Sequence, residues 1–247
     1  ECYERLKGKG PTGAAVFNPM STGATFAITE KAPVDKIPLI TMGYGRSESR
    51  NGGVFPWNFP IYGTYWTAAD VLVTHLGNIN GGLDNLKGKK IALVYHDSPF
   101  GKEPIPLLKK RASMHDFELL TIPVTHPGVE QKSAWIQIRK EKPDYVLLWG
   151  WGVMNSTAIK EATGVRYPRD QIYGIWWAGA EPDVRPAAAD AVGYQAVSMI
   201  SSGQAQVHKD ILNYIYDNDL GSGKREAVGE VLYNVGLLNA ALVVEAI

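Results

Sequence analysis

Tyr145–Gly152, YVLLWGWG, is the stretch from which the fold can be read. Tyr145 to Leu148 are apolar without alternation, so they form a strand buried on both faces, as in parallel sheets covered by helices. In such a sheet only the carboxyl ends of the strands are free to meet a ligand. Trp149 and Trp151 stand at that end. A second strand, Tyr173–Ile175, runs into Trp176 and Trp177 in the same way. Rings gathered at two strand ends are expected to line a pocket, since each offers a large apolar area and a stacked pair adds roughly 0.5–1.5 kcal/mol beyond it.

Working outward, Ile91–Tyr95 reads as another buried strand, followed by a turn at His96–Gly101. Lys102–Met114 reads as a helix in which Pro104 and Pro106 are tolerable only in the first turn. Glu118–Pro123 is a strand, and Ser133 is expected to cap a helix that turns Ala134, Trp135 and Ile138 inward. Past YVLLWGWG, Asn155 is expected to cap a helix through Ala162, and Tyr194–Ile200 is the last strand. Strand alternating with helix over short connections predicts an α/β fold with parallel sheets. Nearer the start, Ala14–Phe17 and Pro38–Thr41 read as strands, with Ser21 or Thr22 capping a helix between them. In Tyr65–Leu76, Ala68, Ala69, Leu72, Val73 and Leu76 fall at helical spacing. The Gly/Asn-rich loop Asn78–Leu86 marks a boundary, and after Gln206 the pattern changes to helices at Ile211–Tyr216 and Ala227–Ile247. The expected division is a first lobe over 1–86, a second over 87–203, and a return to the first over 204–247.

With 247 residues, 45% hydrophobic and 20% charged, the chain can bury a sizeable core. Its 25 basic and 25 acidic residues leave no net field to favour nucleic acid or an anionic membrane. No apolar run approaches the ~18 residues of a membrane span, and Glu1–Arg5 reads as helix rather than as the start of a signal peptide. The single cysteine, Cys2, excludes an internal disulfide and a multi-cysteine metal site. His75, His115, His126 and His208 are scattered without metal-ligand spacing, so neither metal nor cofactor is expected.

Other motifs have ordinary readings. Gly8-x-Gly10-x-x-Gly13 precedes a strand, whereas the dinucleotide fingerprint must follow one. His96-Asp97-Ser98 holds triad residue types, but neighbours in sequence are not expected to converge, and Asp97 and Ser98 are read as ordering the turn. Glu181 and Asp183 are read as a solvated loop pair, and the sequon at Asn155 as a helix cap. No nucleophile, base and oxyanion hole assemble, so the chain is read as a non-enzyme, with a hydrolase built on His96 and Asp97 as the lesser alternative. By contrast, Ser21 or Thr22 and Gly43–Gly45 follow strands and leave backbone N–H groups free, which suits a ligand carboxylate as well as an ordinary turn.

Taken in order, Phe17–Thr25 (family pattern G-x-x-x-S-x-x-T), Pro38–Gly45, Ile91–Gly101 (I-A-x-x-x-x-D-x-x-[YF]-G), Lys142–Gly150 (a K-P-D-x-[VI] strand entry) and Tyr173–Gly179 are similar to the solute-binding proteins of ABC importers. The resemblance is to the leucine/isoleucine/valine-binding family, with the type I periplasmic binding fold, and it runs from the first strand to the last helix. It implies two doubly wound parallel-sheet lobes joined by a hinge and closing on a small solute. It also implies that the first strand–helix–strand of the N-lobe and the final crossover are missing. A membrane permease as partner, no nucleic acid, a monomer that does not span the membrane, and a periplasmic or cell-surface lipoprotein location follow from the same resemblance.

By position, the resemblance puts ligand contacts on Ser21 or Thr22 and on Gly43, Tyr44 and Gly45 in the first lobe. In the second lobe it puts them on Phe100, Trp151 and Trp177. Amino-acid-binding members carry a glutamate at the place of Trp177, to pair the ligand ammonium. A buried ammonium without a carboxylate partner is strongly disfavoured. The expected ligand is therefore an aromatic carboxylate of benzoate or cinnamate type, its charge at the first-lobe helix start and its ring against the indoles. A quaternary ammonium in an aromatic cage, an amide or urea, and a branched-chain amino acid with Glu181 or Asp183 as substitute partner are the alternatives. The ligand-sensing domain of a receptor or regulator would share the fold.

Overall fold

Two parallel sheets organise the chain, a short one near the start and a five-stranded one built around the YVLLW strand. The computed structural model describes residues 1–246, so the predicted helix end at Ile247 lies outside the described residues. In chain order come α1 (Cys2–Leu6), α2 (Thr22–Ile28), α3 (Lys31–Asp35), β1 (Leu39–Met42), β2 (Asn58–Ile61) and α4 (Tyr65–Ile79). Next are β3 (Lys90–His96), α5 (Pro99–Lys102), α6 (Ile105–His115), β4 (Glu118–Val124), α7 (Lys132–Glu141) and β5 (Tyr145–Trp149). The rest is α8 (Val153–Gly164), β6 (Ile172–Gly174), α9 (Glu181–Val184), β7 (Gln195–Ala196), α10 (Gln206–Tyr214) and α11 (Val231–Ala246).

The large sheet has the order β4-β3-β5-β6-β7, with every pairing parallel. The chain leaves β3 towards β4 on one side and returns to place β5 on the other. The crevice where such a sheet reverses direction, at the carboxyl ends of β3 and β5, is where α/β folds take ligands. His96 ends β3 and Trp149 ends β5. Ile91–Val94 and Val146–Trp149 are fully buried, and each such aliphatic side chain contributes roughly 1.5–3 kcal/mol by leaving water. Helix α4 covers part of this sheet with Ala68, Ala69, Leu72, Val73 and Leu76, as their spacing predicts. It is tied there by Arg111 Nη2 donating to Thr74 Oγ1 (3.2 Å) and Asn80 Nδ2 donating to the Tyr145 hydroxyl (2.9 Å).

Several expected details differ. The strand expected at Ala14–Phe17 is a single parallel bridge from Phe17 to Leu39; Pro19 follows closely and cannot donate to a ladder. β2 pairs with β1 although it contains Pro60, because it lies at a sheet edge where the missing N–H faces no partner. The last strand shrinks from Tyr194–Ile200 to β7, since β6 beside it is itself only 3 residues long and offers no longer ladder. Ser133 does not cap α7: Gln131 precedes the helix, buried, its Nε2 donating to the Met154 carbonyl and its Oε1 accepting from Trp135 Nε1. The single helix expected at Lys102–Met114 is broken between α5 and α6 at Glu103-Pro104, because a proline cannot continue the ladder of a preceding helix.

Candidate functional site

Between the carboxyl ends of the two sheets lies a cavity of about 600 Å³, within the range of small-molecule sites. Its second-sheet wall starts at His96, whose side chain is buried where β3 ends. His96 Nδ1 lies 2.8 Å from Ser98 Oγ and its Nε2 lies 3.0 Å from His126 Nδ1. His96 and Ser98 thus converge, contrary to the expectation for neighbours, whereas the Asp97 carboxylate turns away to Lys102 (2.7 Å). Burial first, and then the neighbouring His126, push the His96 imidazole below its usual range, with Asp97 opposing. Pro99 and Phe100 follow on α5 and continue the wall.

Trp151 and Trp177 both line the cavity, on loops after β5 and β6. Trp151 is 51% exposed and its ring is stacked on His126 at 6.3 Å. Trp177 Nε1 donates to the Tyr65 hydroxyl at 2.8 Å. A partly buried polar clamp joins the two loops: Asp183 Oδ2 accepts from the Gly152 N–H (2.6 Å) and from Asn155 Nδ2 (3.1 Å), and Asn155 Nδ2 also donates to the Trp177 carbonyl (3.0 Å). Burial raises the Asp183 carboxyl above its usual range, while Gly152 and Asn155 oppose. Asp183 is therefore not the solvated loop acid expected. Asn155 is not a helix cap either, and being fully buried it offers no glycosylation site. Glu181 is also engaged, accepting from the Val231 N–H at the start of α11 (3.1 Å). The other two strand-end tryptophans do not line the cavity: Trp149 is core, and Trp176 is buried and stacked on Tyr65 at 5.6 Å.

Across the cavity, Ser21 Oγ accepts from the Ala24 N–H (3.4 Å) as the cap of α2, and Thr22 Oγ1 accepts from the Gly45 N–H (3.4 Å). Ser21, Thr22 and Tyr44 line the cavity. The Tyr44 hydroxyl accepts from the Met20 N–H (3.2 Å), and burial pushes it up to about 12. Gly43 and Gly45 do not line it; they are needed where backbone passes close to other groups. A Cβ on Gly43, at φ +70, would lie 2.5 Å from the Met199 methyl, and one on Gly45 would lie 2.5 Å from both Glu103 Oε2 and Thr22 Cγ2. Much of the remaining wall comes from residues not foreseen, among them Met20, Met42, Tyr65 and His96, and Leu232, Val235, Gly236 and Asn239 from α11. Tyr65 was foreseeable, because it shares the helical spacing of Ala68, Ala69 and Leu72. The α11 residues were not, since that helix is apolar nearly all round and its sequence does not say which face meets the cavity. Among the described residues no Asp, Glu, Lys or Arg lines the cavity, and no cluster of metal-binding side chains is present.

Known structures share this architecture. A protein described as an ABC transporter permease from the Pseudomonas fluorescens group is 45% identical, with a TM-score of 0.87 over 99% of this chain and 60% of its own. A branched-chain amino acid ABC transporter from Thermus thermophilus with bound valine is 21% identical, with a TM-score of 0.74 over 94% of this chain and 58% of its own. An R. palustris ABC transporter solute-binding protein in complex with benzoate is 18% identical, with a TM-score of 0.69 over 90% of this chain and 59% of its own. The last two likenesses speak to fold alone. This chain spans about 60% of the length of the solved relatives it matches. Among curated proteins no sequence matches it. The two parallel sheets, with a cavity at their carboxyl ends, agree with the family model described as periplasmic binding protein, which matches residues 2–208, and the chain belongs to that family.

Proposed function

We propose that this chain is the ligand-binding part of an extracytoplasmic solute-binding protein that delivers a small aromatic carboxylate to the membrane permease of an ABC importer. One observation carries the reading: a cavity of about 600 Å³ walled by Tyr44, Tyr65, Phe100, Trp151 and Trp177, with no charged side chain among the described lining residues. A flat apolar ring gains from indole and phenol faces. An α-amino acid would bring an ammonium into the same space without a carboxylate to meet it, at a cost of several kcal/mol. Glu181 and Asp183, the candidate substitutes, are occupied elsewhere. The solved R. palustris relative with benzoate supports an aromatic acid, whereas the T. thermophilus relative with valine supports the amino-acid alternative.

Within this proposal Ser21, Thr22, Tyr44, Phe100, Trp151 and Trp177 contact the solute, and Gly43 and Gly45 act by allowing close approach. The protein works as a monomer in the periplasm or as a cell-surface lipoprotein; among the described residues no helix is long and apolar enough to cross a membrane. The lobe limits at 86/87 and 203/204 belong to the proposal as well, though the packing of α4 on the five-stranded sheet favours a first limit before Tyr65. The test is a thermal-shift panel of benzoate, cinnamate, choline, urea, leucine and valine. A solute at 100 times its dissociation constant stabilises by ~2.7 kcal/mol, so benzoate or cinnamate should raise Tm while leucine and valine leave it unchanged. A clear win for leucine or valine would overturn the aromatic reading.

A further inference from the structure

We propose that Glu103 is a positioning residue for solute binding, holding the segment from Tyr44, which walls the cavity, to Ser47 against the Pro99–Phe100 wall while it carries a proton. The inference rests on the solute-binding reading of the cavity.

The break between α5 and α6 leaves Glu103 in neither helix, and its side chain is turned inward, 8% exposed. Oε1 accepts from the Ser47 N–H (2.6 Å) and from the Ser47 hydroxyl. The Glu103 carbonyl accepts from Trp66 Nε1 (3.0 Å), which adds the start of α4 to the same knot. Oε2 is buried and has no hydrogen-bond partner. A Cβ added to Gly45 would lie 2.5 Å from it, so the segment after β1 passes directly over the carboxyl group. Tyr44, just before Gly45, and Pro99 and Phe100, just before Glu103, are all cavity wall. One side chain thus couples both sides of the cavity.

The charges around it do not hold it ionised. Arg46 and Glu48, from the segment after β1, act in opposite senses, and the Arg46 guanidinium lies over the rings of Phe26 and Phe55 with Nε 3.6 Å from Glu48. Lys102, on Glu103's own side, is taken by Asp97 at 2.7 Å. From α4 the facing titratable group is Tyr65, a buried neutral phenol. A carboxylate with one oxygen buried and unpaired is costly, and a proton on Oε2 removes the charge, the larger part of that cost, while Oε1 keeps its bonds to Ser47. In keeping with this, burial first, with Glu48 adding and Ser47 and Arg46 opposing, raises the Glu103 carboxyl from 4.5 to about 7.

When the two walls part, the carboxyl is rehydrated and returns to its ordinary range near 4.5. A group whose value is raised in the joined state stabilises that state fully below the ordinary value, and the stabilisation is lost as pH rises through the raised one. The joined walls, and with them solute affinity, are therefore strongest in acid and weaken as pH rises through about 7.

Two measurements test this. Calorimetry with benzoate should give a wild-type affinity roughly tenfold lower at pH 8 than at pH 5.5. Glu103→Gln, a neutral side chain of the same shape, should hold the same affinity at both. A wild-type affinity that is flat with pH, or a Glu103→Gln variant that falls as the wild type does, overturns the role of Glu103 and leaves the solute reading standing. If benzoate does not bind at all, the solute reading fails, and amide exchange of residues 43–50 without any ligand decides Glu103 alone. Protection corrected for intrinsic rate should fall between pH 6 and pH 8 in wild type and stay level in Glu103→Gln; equal profiles overturn the proposal. Should Glu103→Gln not fold, Ser47→Ala serves instead. It removes one donor to the ionised form, so the fall in protection should move to higher pH, and an unmoved or lowered midpoint overturns it.

Discussion

The indole of Trp177 donates through Nε1 to the Tyr65 hydroxyl at 2.8 Å, lies 6.2 Å from the Tyr44 ring, and lines a cavity whose described lining residues include no Asp, Glu, Lys or Arg. Trp135, of the same size, is fully buried in the core and donates to Gln131 Oε1 instead. The two residues should therefore fail differently. Trp177→Ala should weaken benzoate binding tenfold or more by calorimetry, about 1.4 kcal/mol, with little change in Tm. Trp135→Ala should cost about 3–5 kcal/mol of stability in urea unfolding and leave the affinity of the folded protein unchanged. The contrast was partly legible in the sequence. Trp135 falls at inward helical spacing with Ala134 and Ile138, while Trp177 follows a strand end. For Trp149 and Trp151 composition alone could not decide, because one glycine separates a side chain inside the last strand position from one beyond it. Trp66 is half-buried with Nε1 on the Glu103 carbonyl, and its neighbour Tyr65 takes the fully buried place.

At the scale of elements, β5 and α4 are held by different physics. Leu147 in β5 is fully buried between β3 and β6, so removing its side chain leaves a void that packed neighbours cannot fill. Thr64 caps α4 by accepting from the Thr67 N–H at 3.4 Å, satisfying one orphan donor at the helix start. Leu147→Ala should cost about 2–5 kcal/mol, and Thr64→Ala about 0.5–2 kcal/mol, both read from urea midpoints at constant slope. A larger loss at Thr64 would mean that α4 depends on its cap more than on its apolar face. These elements were the readable part of the chain, because an unbroken apolar run and a 3.6-residue period are local properties of sequence. The failures came where an element depends on a distant partner. β2 exists because β1 offers it a ladder, β7 ends because β6 does, and α7 starts two residues earlier than Ser133 suggested, where Gln131 reaches across to Met154.

For the whole molecule, charge contributes little to holding the fold. The 25 basic and 25 acidic residues cancel, and the ion pairs lie at the surface, exposed at Lys87–Asp116 and Arg225–Asp217 and partly exposed at Lys7–Asp35 and Lys90–Glu141, where an exposed pair adds at most about 1 kcal/mol. Raising salt from 0.05 to 1 M should therefore move Tm by less than roughly 4 °C, the shift expected for about 1 kcal/mol in a chain of this size. A larger fall in Tm would show that the linked pairs around Glu4 and Lys7, or around Lys90, act together as ionic networks. The sequence by itself determined the α/β class, the parallel sheet around YVLLW and the carboxyl-end address of the candidate site, because each follows from periodicity and from the rule that helices cover the faces of such a sheet. It also placed Ser21, Thr22, Tyr44, Phe100, Trp151 and Trp177 near that address through strand ends and family spacing. Only the tertiary structure decided that His96 meets His126, that Asp183 clamps Gly152, that α11 closes one side of the cavity, and that Glu103 is buried against Ser47 and Gly45. Each of these joins groups far apart in the chain, and their geometry is set by how the sheets and helices pack, which no local pattern encodes.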